Sequence, residues 1–243
     1  MMKSVGIIGF GSFGKFLAEK LSSYAHVSVY SHRGIASSWA AELEQVVTSD
    51  YVILAIPLQH YESVVEKIRP YLLPGTVIVD VCSVKVKPIT ALKRLLPQQP
   101  IVATHPMFGP QSASESLKGH TIIMCPESSA KGPYDEIRAF CQSVGLEVVQ
   151  LSADEHDQEI AVVQGLTFFV ARALSNMGLH GQQLYTPSFG RLLNLVELEE
   201  HHSKELFELI QNDNSHAAKV RERFVTKVDE LVEELHGLSD SRK

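Results

Sequence analysis

The chain has 243 residues, 44% of them hydrophobic, and carries a formal net charge of -6. A globule of this length buries roughly 70–75% of its unfolded surface, enough for one large domain or two modest ones. The acidic balance argues against a nucleic-acid partner, because phosphate binding needs a basic face and none stands out, so a small molecule is the expected partner.

Cys82, Cys125 and Cys141 form an odd set without CxxC spacing, which favours a reducing compartment, the cytoplasm, over a disulfide framework. Cys82 is expected in the core. The longest apolar strings, such as 51–56, stop at strand length, short of the roughly 20 residues of a membrane helix, so no membrane partner is expected. Strand-like sequence begins at residue 4, so no signal peptide is expected either.

Up to residue 151, short apolar runs alternate with longer amphipathic stretches, the pattern of a parallel sheet covered by helices on both faces. Strands are predicted at 4–9, 27–31, 51–56, 76–81, 101–104, 121–125 and 147–151. Between the first two, Phe13, Phe16, Leu17 and Leu21 share one helical face that can pack on the sheet. Ser152 and Glu155 fit a capping box, each satisfying a backbone amide where a new helical region starts. Two domains are therefore expected, 1–151 and 152–243. The stretch 160–174 is apolar on nearly every face, which suits a helix buried between partners. Further on, Val220, Phe224, Val228, Leu231, Val232 and Leu235 form a stripe on a long amphipathic helix that needs a surface to pack against. The small, polar tail after Gly237 is expected to fray.

Gly9-Phe10-Gly11-Ser12-Phe13-Gly14 lies between the first strand and the first helix, the context in which this spacing binds a dinucleotide. Gly9 permits the tight turn, Gly11 lets the backbone approach a pyrophosphate, and Gly14 allows close helix packing. The helix start at Ser12 and Phe13 then offers free amides and the positive end of its dipole to the phosphates. At the end of the second strand, where NAD enzymes present a carboxylate to the ribose, the chain reads Val29-Tyr-Ser-His-Arg33. Ser31 and Arg33 suit a 2′-phosphate, so NADP is expected ahead of NAD. His32 either adds to that site or is an exposed loop residue.

Asp80-Val-Cys-Ser-Val-Lys85 and Thr104-His-Pro-Met-Phe-Gly-Pro110 each follow an apolar strand. Both polar clusters should emerge at strand ends, where open α/β sheets hold their ligands. Taking hydride from a carbon that bears a hydroxyl requires something to attract the hydroxyl proton, a task suited to the neutral imidazole of His105. Ser83 either joins that site or caps a helix, and Lys85 either assists it electrostatically or faces solvent.

These strings, with the glycine loop, resemble the motifs of the prephenate/arogenate dehydrogenases. The likeness continues through Asp154-Glu-His-Asp157 and Gln164-Gly-Leu-Thr167, and so covers both expected domains. It implies an α/β fold in which an N-terminal Rossmann-type doubly wound sheet is followed by an all-helical dimerisation domain that closes over the substrate. It also implies oxidative decarboxylation of arogenate to tyrosine, or of prephenate to 4-hydroxyphenylpyruvate, by a homodimer. In that scheme His105 and Ser83 meet the reacting hydroxyl and Ala55-Ile56-Pro57 lines the nicotinamide side. Gln111, Gln164, Arg191 and Asn194 would surround the substrate. Three positions depart from the family pattern: Phe168 stands where many members have histidine, Gln111 where glutamate is frequent, and Asn194 where prephenate-preferring members carry arginine, with Arg191 nearby. Plant-type arogenate enzymes tolerate an uncharged amide in the region of Asn194 and prefer NADP, so there the chain resembles them, whereas Phe168 removes a substrate-binding polar group.

His156 is read as a helix-start residue, and no histidine set, His201-His202 included, has a metal-binding arrangement. With no module after the helical region, feedback inhibition through an appended domain is not expected. Two alternatives remain open. One is a β-hydroxyacid-dehydrogenase-like enzyme, although 160–174 lacks the lysine such enzymes use. The other is a catalytically inactive NADP-binding sensor.

Overall fold

The computed structural model describes residues 3–127, 130–179, 181–200 and 202–240. Seven strands, β1 (Ser4–Ile8), β2 (His26–Tyr30), β3 (Tyr51–Leu54), β4 (Val77–Asp80), β5 (Ile101–Pro106), β6 (Thr121–Cys125) and β7 (Glu147–Gln150), form one sheet in the order β2-β1-β3-β4-β5-β6-β7. Their β-branched runs are buried on both faces in the centre: every residue of β4 and β5 is buried. The predicted strands are all present, with ends shifted by at most two residues.

Helices α1 (Ser12–Leu21), α2 (Leu43–Val47), α3 (Tyr61–Ile68), α4 (Val86–Leu95) and α5 (Lys131–Ser143) cover the sheet. The chain leaves β1 for β2 on one side and returns to β3 on the other, so the topological switch lies between β1 and β3, where ligands of open sheets bind.

Two expectations are corrected. The sheet is not parallel throughout: β1 to β5 are parallel, but β6 runs antiparallel to β5, and β7 follows β6. A parallel return would need a crossover, and the link 107–120 contains no helix to make one. With no crossover helix there, an apolar cleft of about 390 Å³ stays open between α1 and α5, floored by Val5, Ile53, Val79 and Ile122. The second concerns where β5 ends: read as 101–104, the strand runs on to Pro106, so His105, expected at the strand end, is its last residue but one and lies opposite Ile123.

By its contacts the chain separates into two compact units, Met1–His156 and Asp157–Lys243. Helix α6 (Ala153–Ile160) opens with the reciprocal cap: Glu155 N donates to Ser152 Oγ at 3.3 Å, and Ser152 N donates to Glu155 Oε2 at 2.9 Å. The second unit continues through a π-helical turn (Ala161–Leu166), α7 (Thr167–Asn176), α8 (Pro187–Glu200), α9 (Lys204–Glu208), a second π-helical turn (Leu209–Asp213) and α10 (Ala217–Asp240). Widened turns free backbone carbonyls, and side chains satisfy them here. Gln211 Nε2 donates to Gly165 O at 2.6 Å, and Arg221 donates to both Gln211 O and Gln211 Oε1 at 2.7 Å. The segment after Gly237, expected to fray, stays helical to Asp240. Among the described residues no helix is long and apolar enough to cross a membrane.

Candidate active site

At Gly9 and Gly14 the glycine loop meets the demands read from its sequence. Gly9 has φ of 109°, and a Cβ on it would lie 2.2 Å from Ala55 O, where the ends of β1 and β3 come together. A Cβ on Gly14 would lie 2.2 Å from Gly9 O, so this glycine lets α1 sit against the loop. By contrast, a Cβ on Gly11 would meet nothing within 4 Å. Gly11 caps α1 without a side-chain bond, no acidic residue stands in the first turn, and Ser12 is exposed with Phe13 half-buried. That open backbone at the positive end of a ten-residue helix fits a pyrophosphate.

At the end of β2, Ser31 is half-buried and its Oγ accepts the Arg33 amide at 3.4 Å, while His32 and Arg33 are exposed. No carboxylate of the described residues pairs with Arg33. Ile56 and Pro57 follow β3, half-buried and exposed respectively, on the same crevice as Gly9.

Beyond β4 a buried polar network appears that the sequence reading mostly missed. Asp80 is fully buried and its Oδ1 accepts the Tyr61 hydroxyl at 2.6 Å and the Cys82 amide at 3.1 Å. Its Oδ2 is ion-paired with Lys85, also fully buried, whose Nζ donates in addition to Thr104 O at 2.6 Å. Lys85 therefore does not face solvent. It ties the end of β4 to the residue before His105. Lys85 is also the residue capping α4, so Ser83, half-buried just before it, is not that cap. Burial pushes the Cys82 thiol up to about 12 and the Tyr61 hydroxyl well above its usual range, keeping both neutral.

His105 is 3% exposed. Its ring projects from the same side of β5 as Ala103, which packs with Ile89, Cys125 and Ala153 of α6. One turn beyond Ala153, fully buried His156 presents Nε2 to His105 Nδ1 at 2.9 Å. His156 is thus more than a helix-start residue. Burial first, then the positive charge that His156 and Lys85 could bring, hold His105 well below the usual imidazole range, so it is neutral. Gln111 is exposed on the loop after β5.

Gln164, Arg191 and Asn194 belong to the second unit. Gln164 sits in the first π-helical turn, and its Oε1 is buried without a hydrogen-bond partner among the described residues. Arg191 and Asn194 lie on α8, both exposed. Phe168 is buried, with the ring of His202 4.3 Å away, whereas His201 lies outside the described residues. Among the described residues no group of three or more His, Cys, Asp or Glu gathers to hold a metal.

Comparison with known proteins bears on this site. Arogenate dehydrogenase 1, chloroplastic, of Arabidopsis thaliana is 30% identical over 96% of this chain, and arogenate dehydrogenase 2, chloroplastic, of the same plant is 28% identical over the same share. The chain spans 39% of the first relative's length and 70% of the second's. Among solved structures, prephenate dehydrogenase from A. aeolicus in complex with hydroxyphenyl propionate and NAD+ superposes over 99% of this chain and 93% of its own, with a TM-score of 0.78 at 20% identity. Synechocystis arogenate dehydrogenase superposes over 97% and 93%, with a TM-score of 0.71 at 18% identity. The family model described as prephenate dehydrogenase, nucleotide-binding domain, matches residues 23–150, a span that holds β2 to β7, Ser83 and His105. Since that match covers more than half of the sequence, the chain belongs to the prephenate dehydrogenase family.

Proposed function

We propose that this chain is an NADP-preferring dehydrogenase that oxidatively decarboxylates arogenate to tyrosine, with prephenate as the competing substrate, and that it works as a homodimer. The observation that carries the reading is the buried, neutral His105 at the end of β5, its Nδ1 occupied by His156 and its Nε2 left for chemistry. The glycine loop, Ser12, Phe13, Ile56 and Pro57 would hold the dinucleotide, with Ser31, His32 and Arg33 at the ribose end. When bound, the nicotinamide supplies the hydride acceptor.

His105 attracts the proton of the ring hydroxyl while Ser83 orients that oxygen. As the ring carboxylate leaves as carbon dioxide, its electron pair makes the ring aromatic, and the same oxygen recovers a proton from His105 as a phenol. The imidazole thus ends each cycle as it began. Gln111, Gln164, Arg191 and Asn194 would contact the substrate. Arogenate is favoured because Asn194 replaces a charge at the substrate end and because the two chloroplastic relatives bear that name. NADP is favoured because Arg33 is exposed and free of a carboxylate partner among the described residues.

Assaying both substrates with both nicotinamides tests the reading. Turnover is expected to be highest with arogenate and NADP. Arg33→Ala should weaken NADP by roughly 10- to 100-fold, the value of a charge-assisted phosphate contact, and leave NAD nearly unchanged. Tight NADP binding without turnover of either substrate would favour the sensor instead, with Phe168 as the residue to examine.

A further inference from the structure

We propose that His156 is a positioning residue: it accepts a hydrogen bond from His105 Nδ1–H and so holds His105 in the tautomer whose Nε2 lone pair can receive a proton. The inference rests on the oxidoreductase reading above and adds to it a residue that acts through another.

Two imidazole nitrogens 2.9 Å apart share one proton, and it can sit on either ring. With the proton on His105 Nδ1, Nε2 is bare and can act as a base. With the proton on His156 Nε2, His105 would carry its own proton on Nε2 and could only donate. The two arrangements differ in how they meet the chemistry. When His105 Nε2 takes a proton, the ring has donors at both nitrogens, and Nδ1–H must keep an acceptor in a place that water does not reach. His156 Nε2 is that acceptor without any rotation. The reverse arrangement would drive a proton toward one already present.

Both rings are held for this purpose. His105 lies in a strand paired on both sides, and His156 follows, by one helical turn, the Ala153 contact with Ile89, Ala103 and Cys125. The rings meet edge-on, with centroids 5.1 Å apart and planes at 65°, a geometry that aims a nitrogen and does not stack faces. The ionisable groups around the two rings are the buried Lys85–Asp80 ion pair, with Lys85 also donating to Thr104 O, the neutral Cys82 and Tyr61, and buried Asp157, which follows His156 in α6.

The test is 15N NMR of histidine-labelled protein, free and with NADP, with the His105 resonances assigned through His105→Asn. The parent is expected to show His105 protonated on Nδ1 and bare on Nε2. His156→Leu should populate both tautomers and lower kcat by about 10²-fold, with KM and NADP affinity nearly unchanged. His156→Gln, whose amide oxygen can accept from Nδ1–H, should restore the tautomer and most of kcat. A parent with His105 protonated on Nε2 would overturn the proposal, and so would a folded His156→Leu protein that keeps the parent's tautomer. Because the tautomer is read without substrate, this result is independent of whether arogenate or prephenate is turned over.

Discussion

At His105, burial removes the charge that a free imidazole would carry in mild acid, and the neighbouring His156 and Lys85 oppose its return. The acid limb of kcat/KM is therefore expected below pH 6.5, the ordinary histidine value. His105→Asn should lower turnover by about 10²–10⁴, leave NADP affinity intact, and abolish that limb in the residual activity. The same burial affects stability. Folded His105 resists a proton that the unfolded chain accepts near pH 6.5, so the unfolded state binds more protons as the pH falls below that value. The contribution of neutral His105 is then fully present above pH 6.5 and is lost on acidification toward the depressed folded value. Urea denaturation at pH 7.5 and pH 5.5 should show the lower stability at pH 5.5. Stability independent of pH over that range would mean that the ring is solvated.

Among the elements, β4 and β5 are tied at their ends by a buried ion pair and not by backbone pairing alone. Asp80 receives Tyr61, the Cys82 amide and Lys85, and Lys85 also donates to the carbonyl before His105, so the pair has several partners to offset its desolvation. Lys85→Met should leave Asp80 charged and buried without its counter-ion and cost roughly 3–5 kcal/mol in urea denaturation. A loss under about 1 kcal/mol, the range of surface pairs, would show that water reaches Asp80. Of this network the sequence offered only Lys85, as one of two open readings, whereas the glycine loop was legible. Gly9 and Gly14 answer to local backbone needs, a positive φ and a close approach, which residue type alone reveals. The fate of a polar side chain depends on partners brought in by the fold. Lys85 finds Thr104 O nineteen positions away, and His156 finds a ring fifty-one positions away.

For the molecule as a whole, the seven strands were legible because β-branched runs mark strands whichever way they point, and the reversal of β6 escaped notice for the same reason. The capping box at Ser152 marked the start of α6 through local hydrogen bonds. The stripe on α10 was legible too, as a demand for a partner. Of its residues Val228, Leu231, Val232 and Leu235 are 42%, 54%, 44% and 54% exposed on a helix of 24 residues, and Leu238, in the tail expected to fray, extends the stripe at 49%. In the second unit Val162 and Val163 are also more than half exposed. Light scattering is expected to report twice 26.9 kDa, and Leu231→Glu with Leu235→Glu should return a single chain. A monomer in the parent at micromolar concentration would refute the homodimer. Were the proposed second copy to cover this apolar stripe, folding would be linked to abundance. Each tenfold dilution withdraws about 1.4 kcal/mol of association free energy per dimer, so the melting midpoint should climb with concentration. A cell that makes little of this protein would then hold a less durable form of it than one that makes much.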